Sequence, residues 1–381
     1  MPGNRLAYGE PEVTSVQRIW ARVGLLGVGL LALNFWGWRR VTVWSLSTRP
    51  QVVWQARFGK GASDVGDAIG LDGRRYGPLA FSVMGKQLVV ADSYHHQIVV
   101  TGPVLHRIAV DSQMVDDLAV TPSGSIILAD NRQLTVWELT HGKMHEIIRI
   151  PRRIGVTQAI WHIAVGSGGQ ILLQIVTFGR GQFEMQLNEY SPEGTFIREL
   201  AHAQGDQGVE LTPLAGHGPL GLIRDFEVSP AGELYVETPS DQRFQRQINI
   251  YHWDGRYAGQ VIVSSPEPIQ ESQFLGVNRW GWVYLGVNLN QPHQARVLVV
   301  SPHGIVLRDL AVDQVPVYSA VYGRVSANGT LYLVQSTFHS YRIVRWPVNS
   351  HHVWRWYGWH SIYRLWSELR LAGKNLTFEL L

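Results

Sequence analysis

Side chains able to do chemistry gather at a few places in this 381-residue sequence. The longest irregular stretch, Ala201 to Leu222 (AHAQGDQGVELTPLAGHGPLGL), carries His202, Asp206, Glu210 and His217. These residue types bind divalent cations through nitrogen and oxygen, or move protons. Their spacing matches no defined metal site or triad, and a solvated polar loop is the competing reading. Asp64, Asp67 and Asp72, in ASDVGDAIGLDGRRYG, suggest calcium because hard cations take several oxygens. Their spacing departs from Asp-x-Asp-x-Asp-Gly, and turn-forming roles suit them better. The pairs His95-His96 and His351-His352 are adjacent, and neighbouring side chains on extended chain point opposite ways, so neither pair closes on one ion. No Gly-x-Ser-x-Gly elbow, phosphate loop or His-Glu-x-x-His helix occurs.

These residues must be held by a frame, and the frame is repetitive. Gly77 to Val100, GPLAFSVMGKQLVVADSYHHQIVV, reads as strand, tight turn, second strand ending in Ala-Asp, polar loop, third strand. Variants follow to the end of the chain. The glycine before each second strand falls at Gly85, Gly124, Gly169, Gly232, Gly281 and Gly329, at intervals of 39, 45, 63, 49 and 48 residues. Periods of this size, with four short strands per unit, predict an all-β, six-bladed β-propeller over 51–346. Gln51 to Phe58 precedes the first unit as an orphan strand, and the sixth unit lacks a fourth. Pairing the two closes the ring and removes two exposed edges. Val353 to Tyr357 is the alternative closing strand. Asp92 and Asp130 end second strands, where a carboxylate accepts loop N–H groups, a structural role.

Units of the form GPxxFxVxxxxxLVVADSYHHQIVV resemble NHL-type repeats and their six-bladed relatives, over about residues 51–346. The later units carry Glu237-Thr238, Gly286-Val287 and Val334-Gln335 where the first two carry Ala-Asp. The resemblance implies a scaffold that hosts binding proteins, lyases and lactonases alike. In a lactonase-type channel, carboxylate, Asn or His ligands stand where first strands enter. Asp117, His162 and Arg224-Asp225 occur there, but Phe274 and Tyr322 hold the fifth and sixth places, too few for a metal.

The ends differ from the middle. After a tail at 1–18, the segment 19–40 contains an uncharged run from Val23 to Trp38 between Arg22 and Arg39-Arg40, and predicts an uncleaved transmembrane signal anchor. It would place the propeller outside the cytoplasm on a single-pass chain in the cell membrane. The C-terminal 347–381 is rich in Trp, with Trp354 and Trp356 as candidate ligand-stacking residues, and from Ser361 follows i, i+3, i+4, i+7 spacing for a short amphipathic helix.

With 45% apolar residues, 39 Gly and 18 Pro, the chain predicts a sizeable core and many turns. A net charge of +3 with scattered basic residues gives no support to nucleic-acid binding, and the lack of cysteine excludes disulfides and thiolate sites. No cofactor is expected. Lacking a convergent catalytic set, the sequence predicts a non-catalytic module that binds a protein or an envelope polymer. The alternative is a channel-centred metal-dependent hydrolase or lyase, with Ala201 to Leu222 as its lid.

Overall fold

The computed structural model describes residues 38–356 except 48, 71–72, 113, 180, 207–211, 214–219, 221–222, 239–241, 290–294 and 313–316. The chain divides into two compact units, residues 46–348 and residues 1–45 with 349–381.

The larger unit is built mainly of β-sheets that follow one another along the chain, the first five of them meanders from an inner to an outer strand. Blade one runs Ala80–Met84, Gln87–Asp92, Gln97–Val100 and His106–Ala109. Blade two comprises Val115–Val120, Ile126–Asp130, Thr135–Thr140 and Lys143–Arg149. Blade three uses Thr157–Val165, Ile171–Gly179, Gln182–Tyr190 and Phe196–Asp206, with Thr212–Pro213 as a fifth strand. Blade four contains Asp225–Val228, Leu234–Thr238, Gln245–Tyr251 and Tyr257–Ser264; blade five contains Ile269–Val277, Val283–Leu289, Ala295–Val300 and Val306–Val312. Blade six takes three strands from its own stretch, Gly323–Val325, Leu331–Val334 and Ser340–Trp346, and its outer strand from Gln51–Arg57, in register from Gln51 opposite Arg345 to Arg57 opposite Ser340. The inner strands touch in cyclic order, one to two and onward to six, and six touches one. That cycle makes the sheets a β-propeller.

The local sequence explains each blade. Second strands read LVVA, IILA, ILLQ, LYVE, VYLG and LYLV because they are covered on both faces by neighbouring blades, so near-continuous apolar runs replace simple alternation. The six anchor glycines share positive φ between 62° and 90°, which other residues adopt only with strain. The apolar clusters lie between blades. Phe81 and Leu118 pack with Tyr341 and Ala56 around blades six, one and two, and Phe226 with Leu187 between three and four. Each fully buried large side chain of this kind contributes ~2–3 kcal/mol.

Trp38–Leu46 pairs with Val348–Trp356 as a two-stranded sheet that belongs, but for Leu46 and Val348, to the smaller unit. This corrects two expectations. Residues 38–40 belong to a strand, not to the end of a helix, in keeping with the alternating β-branched run Val41-Thr42-Val43. Val353 to Trp356 joins that strand pair and does not close the ring. The rest of the expected anchor, 19–37, and the expected helix from Ser361 lie outside the described residues, among which no helix is long and apolar enough to cross a membrane.

Candidate functional site

The first strands face the channel, and their register against the second strands brings Asp117, His162, Asp225 and Gln273 to equivalent positions, opposite Ala129, Gln174, Glu237 and Gly286. Two residues further along two of these inner strands stand Glu227 and, in blade six, Arg324. Since strand side chains alternate, Glu227 shares the face of Asp225.

Four of these groups form a closed ring of alternating charge. His162 Nδ1 donates to Asp117 at 2.6 Å, and its Nε2 stands 3.5 Å from Glu227. Arg324 crosses from blade six, donating from one nitrogen to Asp117 at 2.6 Å and from another to Glu227 at 2.9 Å. Asp117 also accepts the amides of Leu118 and Ile163, and Asp225 repeats this one blade pair on with the amides of Phe226 and Phe274. Each such carboxylate therefore locks its own blade to the next.

The ring sets the protonation states. Burial pushes the Asp117 carboxyl up, but Arg324 and His162 outweigh it and hold the group below the usual carboxylate range. Burial lowers His162, yet Asp117 and Glu227 drive it up to about 10, so the imidazole is a cation at neutral pH. Its Nε2–H faces Glu227 at 3.5 Å, too long for a well-formed hydrogen bond. Arg324 is held charged by the same acids. Asp225 moves the other way: burial raises it, and Glu227 adds to that.

Above the ring opens a cavity of about 880 Å³, walled on one side by Asp116, Asp117, His162, Arg224, Asp225 and Arg324. Asp116, next to the ring on blade two, is pushed up to about 6, chiefly by burial and further by Asp130 and Asp117, against the hydrogen bond of Asn131. Its Oδ2 is buried without a partner. A second hollow of about 460 Å³, lined by Glu227, lies on the other side, and Arg324 lines both. The ring is thus a floor across the channel.

The side chains singled out from the sequence lie mostly elsewhere. His202 sits on the outer strand of blade three between Glu184, at 2.9 Å, and Glu199, at 3.3 Å. Asp206 ends that strand, so Ala201 to Asp206 is not loop. Glu210 and His217 lie outside the described residues, and Trp354 and Trp356 fall on the strand of the smaller unit. Asp64 accepts the Gly61 amide and Asp67 pairs with Arg75 at 2.6 Å, both local ties; Asp72 lies outside the described residues. Asp92 accepts the amide of Gly66 and a hydrogen bond from Gln97, and Asp130 accepts the amides of Arg132 and Gln133.

Among the described residues, no group of three or more acidic or histidine side chains is placed to hold a metal ion. The ring carboxylates are turned on Arg324 and His162, which supply the positive charge themselves. A divalent cation therefore does not fit this donor set.

No protein-family model matches the sequence, and no curated protein matches it. Similar solved structures include a virginiamycin B lyase from Staphylococcus aureus, 10% identical over 80% of this chain and 99% of that one, with a TM-score of 0.41. A gluconolactonase from Xanthomonas campestris is 14% identical over 82% of this chain and 100% of that one, TM-score 0.42. A luciferin-regenerating enzyme is 10% identical over 71% and 90%, TM-score 0.43. These likenesses are of architecture, and the propeller stands on the cyclic strand contacts above. The NHL character finds no counterpart in these three. The expected non-catalytic scaffold is corrected: it rested on the lack of a convergent set, whereas charged groups from blades two, three, four and six converge on one cavity.

Proposed function

We propose that the chain is a channel-centred hydrolase or lyase that works by proton transfer without a metal ion. The observation carrying this reading is one cavity walled both by a carboxyl near neutral pKa, Asp116, and by a cationic imidazole, His162, whose Nε2–H has Glu227 only at 3.5 Å. At pH 7 Asp116 is mostly ionised, a base, and His162 is a donor.

In hydrolysis, Asp116 takes a proton from water as its oxygen adds to a carbonyl carbon, and the electron pair moved to the carbonyl oxygen is met by His162 Nε2–H. Collapse of the adduct expels the leaving oxygen, which takes the proton back from Asp116. In elimination the same base removes a proton next to the carbonyl, the electron pair forms a carbon–carbon double bond as the bond to the β-oxygen breaks, and the departing oxygen takes that proton from Asp116. The rest of the ring keeps His162 charged and oriented, since Asp117 fixes Nδ1.

The test is a panel of esters, lactones and elimination-prone substrates on the full chain. The active one should show a bell-shaped rate profile with limbs near 6 and 10, unaffected by chelator. Asp116→Asn should lower kcat by about 10²–10⁴ and abolish the acidic limb. Chelator-sensitive turnover, or an acidic limb that survives Asp116→Asn, overturns the reading.

A further inference from the structure

One residue before the equivalent inner-strand positions stand Asp116 on blade two, Trp161 on blade three and Arg224 on blade four, and all three line the cavity. Asp116 and Trp161 are each the extra residue of a β-bulge. Val115 and Asp117 face the consecutive residues Asp130 and Ala129, and Ile160 and His162 face Ile175 and Gln174, which leaves Asp116 and Trp161 without a cross-strand partner. A bulge bends the strand and re-aims the inserted side chain.

The indole of Trp161 is 50% exposed, although Phe178 and Phe183 flank it with ring centroids at 6.0 and 5.8 Å. It is a supported aromatic ring with surface to spare. Tyr318 and Tyr322 line the same cavity, so aromatic surface is not confined to blade three; Trp161 is set apart by its place between Asp116 and Arg224 in the order of blades. Of the arginines lining the cavity, Arg324 is held in the ring, Arg296 is held by Asp309 at 2.7 Å and Arg74 is also engaged. Arg224 is half-exposed, and among the described residues its guanidinium meets one carboxylate, that of Glu237, at 3.9 Å. That distance is too long for a hydrogen bond, so its fork of donors is open to a ligand. The neighbouring acids have partners of their own: Asp225 accepts two amides and Glu271 accepts from Asn288.

We infer that the site takes a substrate built on an aromatic ring that carries a carboxylate apart from the bond to be cleaved, with the ring stacked on Trp161, the carboxylate on Arg224 and the scissile carbonyl between Asp116 and His162. The placing of the carbonyl rests on the acid–base reading given above; the ring and carboxylate contacts do not. A planar fork suits a carboxylate in two-pronged contact, and an indole face suits a flat ring.

The test is calorimetric binding of para-acetylbenzoate, an unreactive ketone, to the full chain at pH 7, beside acetophenone, which lacks the carboxylate, and trans-acetylcyclohexanecarboxylate, which lacks the aromatic ring. Acetophenone should bind at least about tenfold more weakly, and the saturated ring about two- to tenfold more weakly. Arg224→Gln should weaken para-acetylbenzoate at least about tenfold and leave acetophenone unchanged. Trp161→Leu should weaken both aromatic ketones about two- to tenfold and erase the preference over the saturated ring. Asp116→Asn should keep both preferences. The ligand comparison needs no variant, so it decides even where one fails to fold. No binding of para-acetylbenzoate, a missing preference for carboxylate or ring, or preferences that neither variant alters overturns the inference. Both preferences in a protein that turns over no ester, lactone or elimination substrate leave the recognition standing and sink the catalytic reading, and turnover without them does the reverse.

Discussion

Replacing Arg324 with leucine tests the charged floor most directly. The guanidinium lies 2.6 Å from Asp117 and 2.9 Å from Glu227, with 13% of its side chain exposed. Its removal leaves two buried carboxylates sharing one cation, His162. Breaking a buried ion cluster by deleting one partner costs ~3–5 kcal/mol, and the buried leucine methyls return ~1 kcal/mol of that. The net loss is about 2–4 kcal/mol, or roughly 4–8 °C in melting temperature at about 2 °C per kcal/mol for a propeller of this size. Calorimetry of the full chain at pH 7 reads this directly. Adding Glu227→Gln to Arg324→Leu removes one stranded charge and should recover about half, although Glu227→Gln alone destabilises. The resulting cycle should give a coupling of at least ~1 kcal/mol. A single-variant cost below about 1 kcal/mol, or additive effects, would refute the alternating-charge ring.

Two further outcomes follow from the protonation states. His162 binds its proton more tightly folded than unfolded, so it contributes stability that is fully present below about 6.5 and lost as pH rises through about 10. His162→Gln should flatten the fall in melting temperature between pH 7 and 10, and an unchanged slope would count against the ring. Glu237, fully buried on blade four, donates nothing and accepts from Ser272, with Arg246 3.6 Å away. Burial pushes it up to about 7, so its share of stability is present below about 4.5 and lost as pH rises through about 7. Glu237→Gln should therefore stabilise by up to about 3 kcal/mol at pH 8 and by nothing at pH 4, which paired urea titrations would show.

The blades were legible because their signals are local. A glycine at positive φ, an apolar second strand and a polar turn all lie within some 25 residues of one another, as in Gly77 to Val100. Part of the site was legible too. Asp117, His162 and Asp225 stand at corresponding points of successive first strands, and strand alternation from Asp225 points on to Glu227. Arg324 was not, since its partner Asp117 is 207 residues away and the two meet only across the closed channel. Asp116 sits in a plain Val-Asp-Asp stretch, and its raised pKa comes from burial that no spacing encodes. His202 misled for the opposite reason. It lies in a glycine-rich polar stretch that looks irregular, yet the outer strand of blade three continues through it to Asp206.

The sixth blade is assembled from the two ends of the propeller, Gln51–Arg57 beside Ser340–Trp346. It is also the blade that brings Arg324 to the floor. During synthesis Asp117, His162 and Glu227 emerge from the ribosome well before their guanidinium, and the ring of blades has no partner for its first strand until the last has been made. An early-terminated product thus carries two acids against a single imidazolium and an open seam at either side of the gap. Integrity of the charged floor and completion of the polypeptide are therefore coupled: a chain stopped before Trp346 is incomplete in its closing sheet and marked by an unsatisfied edge of the kind that invites aggregation or removal.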